Sequence, residues 1–143
     1  MILSMCCCTG SREFDATSVD VCVYGGTSAS VTAARAAAEE GCNVTIICPD
    51  VVLGGMTTGG LGMTDIGNKL AIRGMAREFY RALGSRYGTE EQWRFEPHVA
   101  SEIIDSWVDN PKIKVLKGYY LTSVNKKGTR IRSITCDMMQ LNQ

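Results

Sequence analysis

The stretch VCVYGGTSASVTAARAAAEEG, residues 21–41, decides how this chain is read. Val19 to Tyr24 is an apolar run with β-branched residues, closed by Gly25-Gly26, which suits a strand buried on both faces. Ser28 to Glu40 follows, rich in alanine, a strong helix former whose small side chain lets a helix lie close on a sheet. Gly41 is placed to end that helix in the left-handed conformation. Beyond it, NVTIIC (Asn43 to Cys48) is a second apolar strand, stopped by Pro49. Strand, helix and strand within about 30 residues make a crossover unit, right-handed by default. This is the layout of a dinucleotide-binding βαβ unit, which usually carries G-x-G-x-x-G.

In this chain the three glycine positions hold Gly25, Thr27 and Ser30. The first glycine of such a turn makes the tight bend, the second lets backbone approach a pyrophosphate, and the third lets helix and strand pack closely. Gly25 fills the first role. Thr27 brings a side chain to the second position, with a hydroxyl able to donate to a phosphate oxygen. Ser30 is small enough for the third. The helix N-terminus offers free N–H groups and a partial positive charge to an anion. A carboxylate is expected at the end of the second strand to hold ribose hydroxyls. Cys48 stands there instead, and Asp50 lies two residues on.

Working outward, residues 50–68 form a loop with six glycines and no periodicity. A loop this long in a compact domain is usually functional. Apolar residues at Ile72, Met75, Phe79 and Leu83 predict a helix over 70–83, and those at Ala100, Ile103, Ile104, Trp107 and Val108 predict another over 97–109. Pro97 suits a first helical position, and Pro111 follows the helix end. KIKVL, YYLTSVNK and TRIRSITC then read as three strands, with Asn125 to Gly128 as a hairpin turn.

Composition narrows the function classes. The 143 residues carry 15 basic and 15 acidic side chains. There is no long basic run interleaved with aromatics, so a nucleic-acid partner is not expected. The seven cysteines contain no C-x-x-C, and there is one histidine, so zinc-ligand spacing is absent. Cys22, Cys42 and Cys48 read as small core hydrophobes. His98 falls in the first turn of a predicted helix and reads as a solvent-facing or supporting residue. Asp65 and Lys69 flank the glycine loop, with the surface as their default. No apolar run reaches the 20 residues a membrane-spanning helix needs. The start, MILSMCCCTGS, reads either as a cytoplasmic tail or as a truncated secretion or lipoprotein signal, with Leu3 before Cys6. Residues 1–17 are thus set apart as tail, and residues 18–143 as the start of a nucleotide-binding domain.

VYGGTSAS, LGGMTTGGLGMTDIGNK, IRGMAREFYRALGSRYG and FEPHVASEI occur in this order. Together they resemble the N-terminal part of the bacterial FAD-dependent oxidoreductases, in which the fingerprint is followed by L-G-G-x-x-T-x-G-G. Some members of that group are labelled xanthan lyases. The resemblance runs from residue 19 to about 135. Threonine at position 27 is itself usual there; Ser30 stands where glycine is usual, and Cys48 where glutamate is usual.

The resemblance implies an α/β fold: a Rossmann-like FAD-binding βαβ unit with a parallel sheet, then the start of a small antiparallel sheet, the whole an incomplete domain. It implies that Gly25, Gly26, Thr27, Ser28, Ala29 and Ser30 cradle the FAD pyrophosphate, with Cys48 and Asp50 beside the ribose. It also implies that Gly54, Gly55, Met56, Thr57, Thr58, Gly59 and Gly60 run along the cofactor towards the flavin ring, with Thr57 and Thr58 as hydroxyl donors. The expected reaction is hydride or electron transfer on a small molecule that the sequence does not name, the rest of a longer parent chain completing the fold. An NAD(P)-dependent dehydrogenase and a non-catalytic Rossmann-like remnant are the alternatives. If the sheet has a face left for the parent chain to cover, Val21, Val23, Ile46 and Val115 are expected to form an apolar patch on it.

Overall fold

A computed structural model describes residues 18–139. The tail-or-signal reading of residues 1–17 lies outside these described residues. The crossover unit consists of β1 (Val21–Tyr24), α1 (Ser28–Glu39) and β2 (Val44–Cys48). Two helices follow, α2 (Gly74–Tyr87) and α3 (Pro97–Val108), before β3 (Ile113–Lys117), β4 (Tyr119–Lys127) and β5 (Arg130–Met138).

The first three strands form a parallel sheet in the order β1-β2-β3. Val21 lies opposite Val44, and Val44 opposite Ile113. The central strand β2 is buried along its whole length, which is why its sequence, VTIIC, lacks polar alternation. β4 and β5 pair antiparallel as a separate two-stranded sheet. Alternation along β2 sends Val44, Ile46 and Cys48 to one face, where they join Val31, Ala34 and Ala38 of α1, Phe79 and Leu83 of α2, and Ile103 and Ile104 of α3. Ile47 goes to the other face, where Leu116, Tyr119, Ile134 and Cys136 close over it. The sheet therefore has helices on one side and the β4–β5 hairpin on the other.

This arrangement corrects the expected apolar patch. Ile46 is fully buried, and Val21, Val23 and Val115 are half-buried against the same helix-covered core. Their face is the one the helices cover. Exposed apolar side chains lie elsewhere: Val51, Met56, Leu61 and Met63 on the glycine loop, Leu70 just beyond it, and Tyr120, Val124, Ile131 and Met138 on the β4–β5 hairpin.

Element boundaries moved where backbone geometry overrode the apolar pattern. The second helix begins at Gly74, four residues later than the stripe suggests, because Asn68 caps a separate 3-10 turn at Lys69–Ala71 and Ile72 leaves it extended. It runs on to Tyr87 and stops at Gly88, whose φ of +70° is a left-handed cap. β4 continues through Lys127, so the chain reverses at Gly128-Thr129 rather than at Asn125 to Gly128.

Arg35 of α1 ties the three helices together. Its guanidinium meets Glu39 at 2.8 Å and Glu78 of α2 at 3.0 Å, and lies over the Trp107 ring of α3 at 4.6 Å. Exposed ion pairs contribute little to stability. The guanidinium over Trp107 adds a cation–π attraction that links α1 to α3.

One buried group in the sheet is unsatisfied. Thr45 of β2 is 1% exposed, and among the described residues its hydroxyl has no hydrogen-bond partner. An unpaired buried hydroxyl costs about 1–3 kcal/mol, and an apolar group of the same shape removes that cost. Thr45→Val is therefore expected to stabilise the fold by about 1 kcal/mol. A thermal-unfolding midpoint raised by a few degrees is the result to look for; a lowered midpoint would show that the hydroxyl does have a partner.

Candidate cofactor site and adjoining groove

The turn between β1 and α1 sits at the carboxyl end of the parallel sheet. Gly25 has φ +122°, a conformation that L side chains rarely adopt, and its N–H donates to the Ile47 carbonyl at 2.8 Å. A Cβ on Gly25 would stand 3.2 Å from Ser30 Oγ. Ser30 itself is buried, so the residue that replaces the third fingerprint glycine packs without displacing the helix. Thr27 caps α1, its Oγ1 accepting from the Ser30 N–H at 3.4 Å and lying 3.3 Å from Ser30 Oγ. No acidic side chain occupies the first turn of α1. The N–H groups of Ser28 and Ala29 open the helix, where no intrahelical acceptor is available to them. The residues present thus fit an anionic pyrophosphate: a bend without a side chain, free amides and no competing carboxylate.

The glycine loop is clamped onto this turn. Gly54 N–H donates to the Gly26 carbonyl at 2.6 Å, and Thr27 and Gly54 form a one-residue parallel bridge. Gly54 has φ +105° and leads into a 3-10 turn at Gly55–Thr57. Its missing Cβ makes room for Thr58, whose methyl would lie 2.4 Å from such an atom. Thr58 Oγ1 donates to the Leu53 carbonyl at 2.5 Å, inside the loop. The Thr58 hydroxyl is thereby committed to the loop's own shape, while Thr57, half-buried, faces the groove described below.

At the end of β2, Cys48 is 0% exposed. A Cβ on Gly26 would lie 2.1 Å from the Cys48 sulfur, so Gly26 is glycine because Cys48 fills the space beneath it. The Cys48 thiol points to the Val52 carbonyl at 3.8 Å. Asp50 has its carboxylate on the surface, and its carbonyl accepts from Gly118 N–H at 3.2 Å, just past the end of β3. Of these two residues, Asp50 presents an acidic group at the carboxyl edge of the sheet. Burial pushes the Cys48 and Cys136 thiols up from their ordinary value, and burial followed by the neighbouring Cys136 pushes Cys22 up to about 11. All three therefore stay protonated at neutral pH, which makes them packing groups rather than nucleophiles.

Beside the turn a groove of about 420 Å³ opens between α1, the glycine loop and α2. Ser28 and Ala29 of α1 and Met56 and Thr57 of the loop line it next to the turn. Phe79 and Tyr80 of α2, with Trp107 of α3, line its far side. This side was not legible in the sequence. Tyr80 and Trp93 stack with centroids 3.9 Å apart, and Tyr80 OH lies 3.1 Å from Thr64 Oγ1. Thr64 N–H donates to the Trp93 carbonyl at 3.1 Å, and Gly62 receives the Phe95 N–H at 2.8 Å. These contacts join residues from three separate segments, so no periodicity announces them. The isolated Trp93 was the one available signal. His98, Asp65 and Lys69 are exposed and do not line the groove.

A glycine turn opening a helix at the carboxyl edge of a parallel sheet, with a second glycine loop clamped to it, defines a dinucleotide-binding α/β protein. The sequence model of the family described as FAD dependent oxidoreductase matches residues 20–143, and the chain belongs to that family. Among solved structures, THI4 of Thermovibrio ammonificans is similar at 14% identity and a TM-score of 0.54, over 84% of this chain and 48% of that one. This chain thus spans about half the length of that protein. Cyclohexanone monooxygenase, in a closed crystal structure, matches at 18% identity and a TM-score of 0.47, over 74% of this chain and 20% of that one. At 14% identity the likeness to THI4 concerns the fold alone. No curated protein matches the sequence. Among the described residues no helix is long and apolar enough to cross a membrane, and no cluster of three or more His, Cys, Asp or Glu is placed to hold a metal ion.

Proposed function

We propose that the protein holds FAD along Gly25–Ser30 and the Leu53–Gly60 loop, and that the flavin exchanges a hydride or electrons with a small molecule. The observation that carries this reading is the clamp between the two glycine segments, Gly54 N–H on the Gly26 carbonyl at 2.6 Å, which makes one continuous strip of close-approach backbone. A flat or anionic ligand approaches backbone closely only where side chains are missing. The amides of Ser28 and Ala29 would meet the pyrophosphate, aided by the positive end of α1. Thr27 Oγ1 accepts from Ser30 N–H and shares a hydrogen bond with Ser30 Oγ, so this hydroxyl pair has one proton left to donate. The flavin supplies the redox chemistry when bound, and the chain supplies position and electrostatics. The absorbance spectrum of the purified protein after saturation with FAD and removal of excess tests the reading. Retained flavin bands support it, whereas retention of a nicotinamide nucleotide with no flavin would replace it.

Asp50 is the residue proposed to bind the ribose, since Cys48 is enclosed and Asp50 carries an exposed carboxylate at the same strand end. A hydrogen bond to a charged group is worth about 1.5–3 kcal/mol, or roughly tenfold or more in affinity. Asp50→Asn is expected to weaken FAD binding by about that factor in a fluorescence titration. Unchanged affinity would leave the ribose to backbone groups alone.

A further inference from the structure

The groove beside the turn shares four lining residues with the proposed cofactor strip, Ser28, Ala29, Met56 and Thr57, and then runs away from it towards Tyr80 and Trp107. Gly25 and Gly26 do not line it, so it adjoins the pyrophosphate turn without being that turn. Its volume of about 420 Å³ lies in the range of small-molecule pockets. No lining side chain is a carboxylate, ammonium, guanidinium or imidazole. The one positive potential at the groove is that of the Ser28 and Ala29 amides, and these are assigned to the pyrophosphate. Beside bound FAD a charged ligand would therefore lose its hydration and find no countercharge.

Five lining side chains carry hydroxyls. Ser28, Thr32 and Thr57 stand at the end next to the cofactor strip, with Thr32 Oγ1 donating to the Ala29 carbonyl at 3.0 Å, and Thr64 and Tyr80 form a pair away from it. Tyr80 OH donates to Thr64 Oγ1 at 3.1 Å, which leaves the Thr64 hydroxyl proton to donate to an occupant. Tyr80 is held by its stack on Trp93, at 3.9 Å and 18° between ring planes. Thr64 is held by its own N–H on the Trp93 carbonyl. A rigid hydroxyl pair in apolar walls selects an occupant with one matching polar group.

We infer that this groove seats a neutral, mainly apolar ring compound bearing a single carbonyl or hydroxyl group, and that this is the substrate class presented to the flavin. The inference rests on the flavoprotein reading above. Its position supports it, because a molecule seated against Met56 and Thr57 touches the strip along which the cofactor is proposed to lie.

The test uses two probes of one shape, naphthalene-2-carboxamide and naphthalene-2-carboxylate, titrated calorimetrically into the protein with and without saturating FAD. The carboxamide is expected to bind at one site, at least tenfold more tightly than the carboxylate, and to do so with FAD present. Ala76 is an exposed residue at the groove wall, so Ala76→Phe fills the space with little risk to folding. That variant is expected to lose the carboxamide and keep FAD, and Thr64→Val to weaken the carboxamide several-fold. FAD binding without carboxamide binding, equal affinity for the two probes, or full carboxamide affinity in Ala76→Phe would each overturn the substrate assignment and leave the flavoprotein reading intact. Displacement of the carboxamide by FAD would overturn it too, making the groove the seat of the flavin. Carboxamide binding without any FAD binding would overturn the flavoprotein reading and the substrate role together.

Discussion

Gly25→Val is expected to abolish FAD binding. The φ of +122° at Gly25 lies well beyond the left-handed region near +57° that other residues occasionally visit, and a β-branched side chain is the least able to follow it. The new side chain would also press on Ser30 Oγ, already 3.2 Å from the Cβ position, at the start of α1. Either the turn opens or the helix retreats, and both move the amides of Ser28 and Ala29. Strain of this kind costs of order 1–3 kcal/mol, and lost contacts to an anion add to it, so a fall of roughly a hundredfold or more in affinity is expected. Gly41→Val provides the control. Gly41 has φ +90° with open space around it, at the opposite end of the same helix. It should lower stability through a similar backbone penalty while leaving FAD affinity unchanged. Equal flavin affinity in Gly25→Val and the parent protein would place the nucleotide somewhere else.

Gly84→Ala should destabilise the fold by about 2 kcal/mol, against the sign that helix propensity assigns. In an exposed helix, alanine in place of glycine gains about 1 kcal/mol. At Gly84 a Cβ would sit 2.6 Å from the carbonyl oxygens of Thr89 and Glu90, both backbone atoms. The chain after α2 turns back along the helix here, with Thr89 N–H on the Gly84 carbonyl at 2.9 Å and Gln92 N–H on the Tyr80 carbonyl at 3.0 Å. Overpacking typically costs 1–3 kcal/mol, and backbone cannot rotate aside as a side chain does. The steric term therefore wins. The same reversal carries Trp93 to its stack on Tyr80, so near-ultraviolet circular dichroism should change along with the denaturation midpoint. A stabilised variant with an unaltered aromatic signal would show that the 88–92 segment yields easily.

The core of the fold was legible because it is built from local patterns. A β-branched apolar run bounded by glycines, an alanine-rich helix and a second apolar run are each satisfied by neighbouring residues. Their order leaves few topologies open. The parallel β1-β2 pair, α1 and the later hairpin all follow from such patterns. Boundaries were less legible, since the start of α2 depends on the Asn68-capped 3-10 turn and on Gly74 rather than on the apolar stripe.

The site divides along the same line. Gly25 stood out in the sequence because its role is a property of one residue's backbone. The reason for Gly26 did not, because it lies in Cys48, 22 positions away, whose sulfur occupies the space a side chain would need. Thr58 looked like a ligand for the cofactor, yet its hydroxyl serves the Leu53 carbonyl, a fact set by the curl of the loop. The far side of the groove lay wholly beyond sequence reading. Thr64, Tyr80 and Trp93 acquire a joint meaning only when loop, helix and returning chain meet. Periodicity and motif spacing report contacts within a segment, whereas stacking and side-chain hydrogen bonds across segments arise only once the chain has packed.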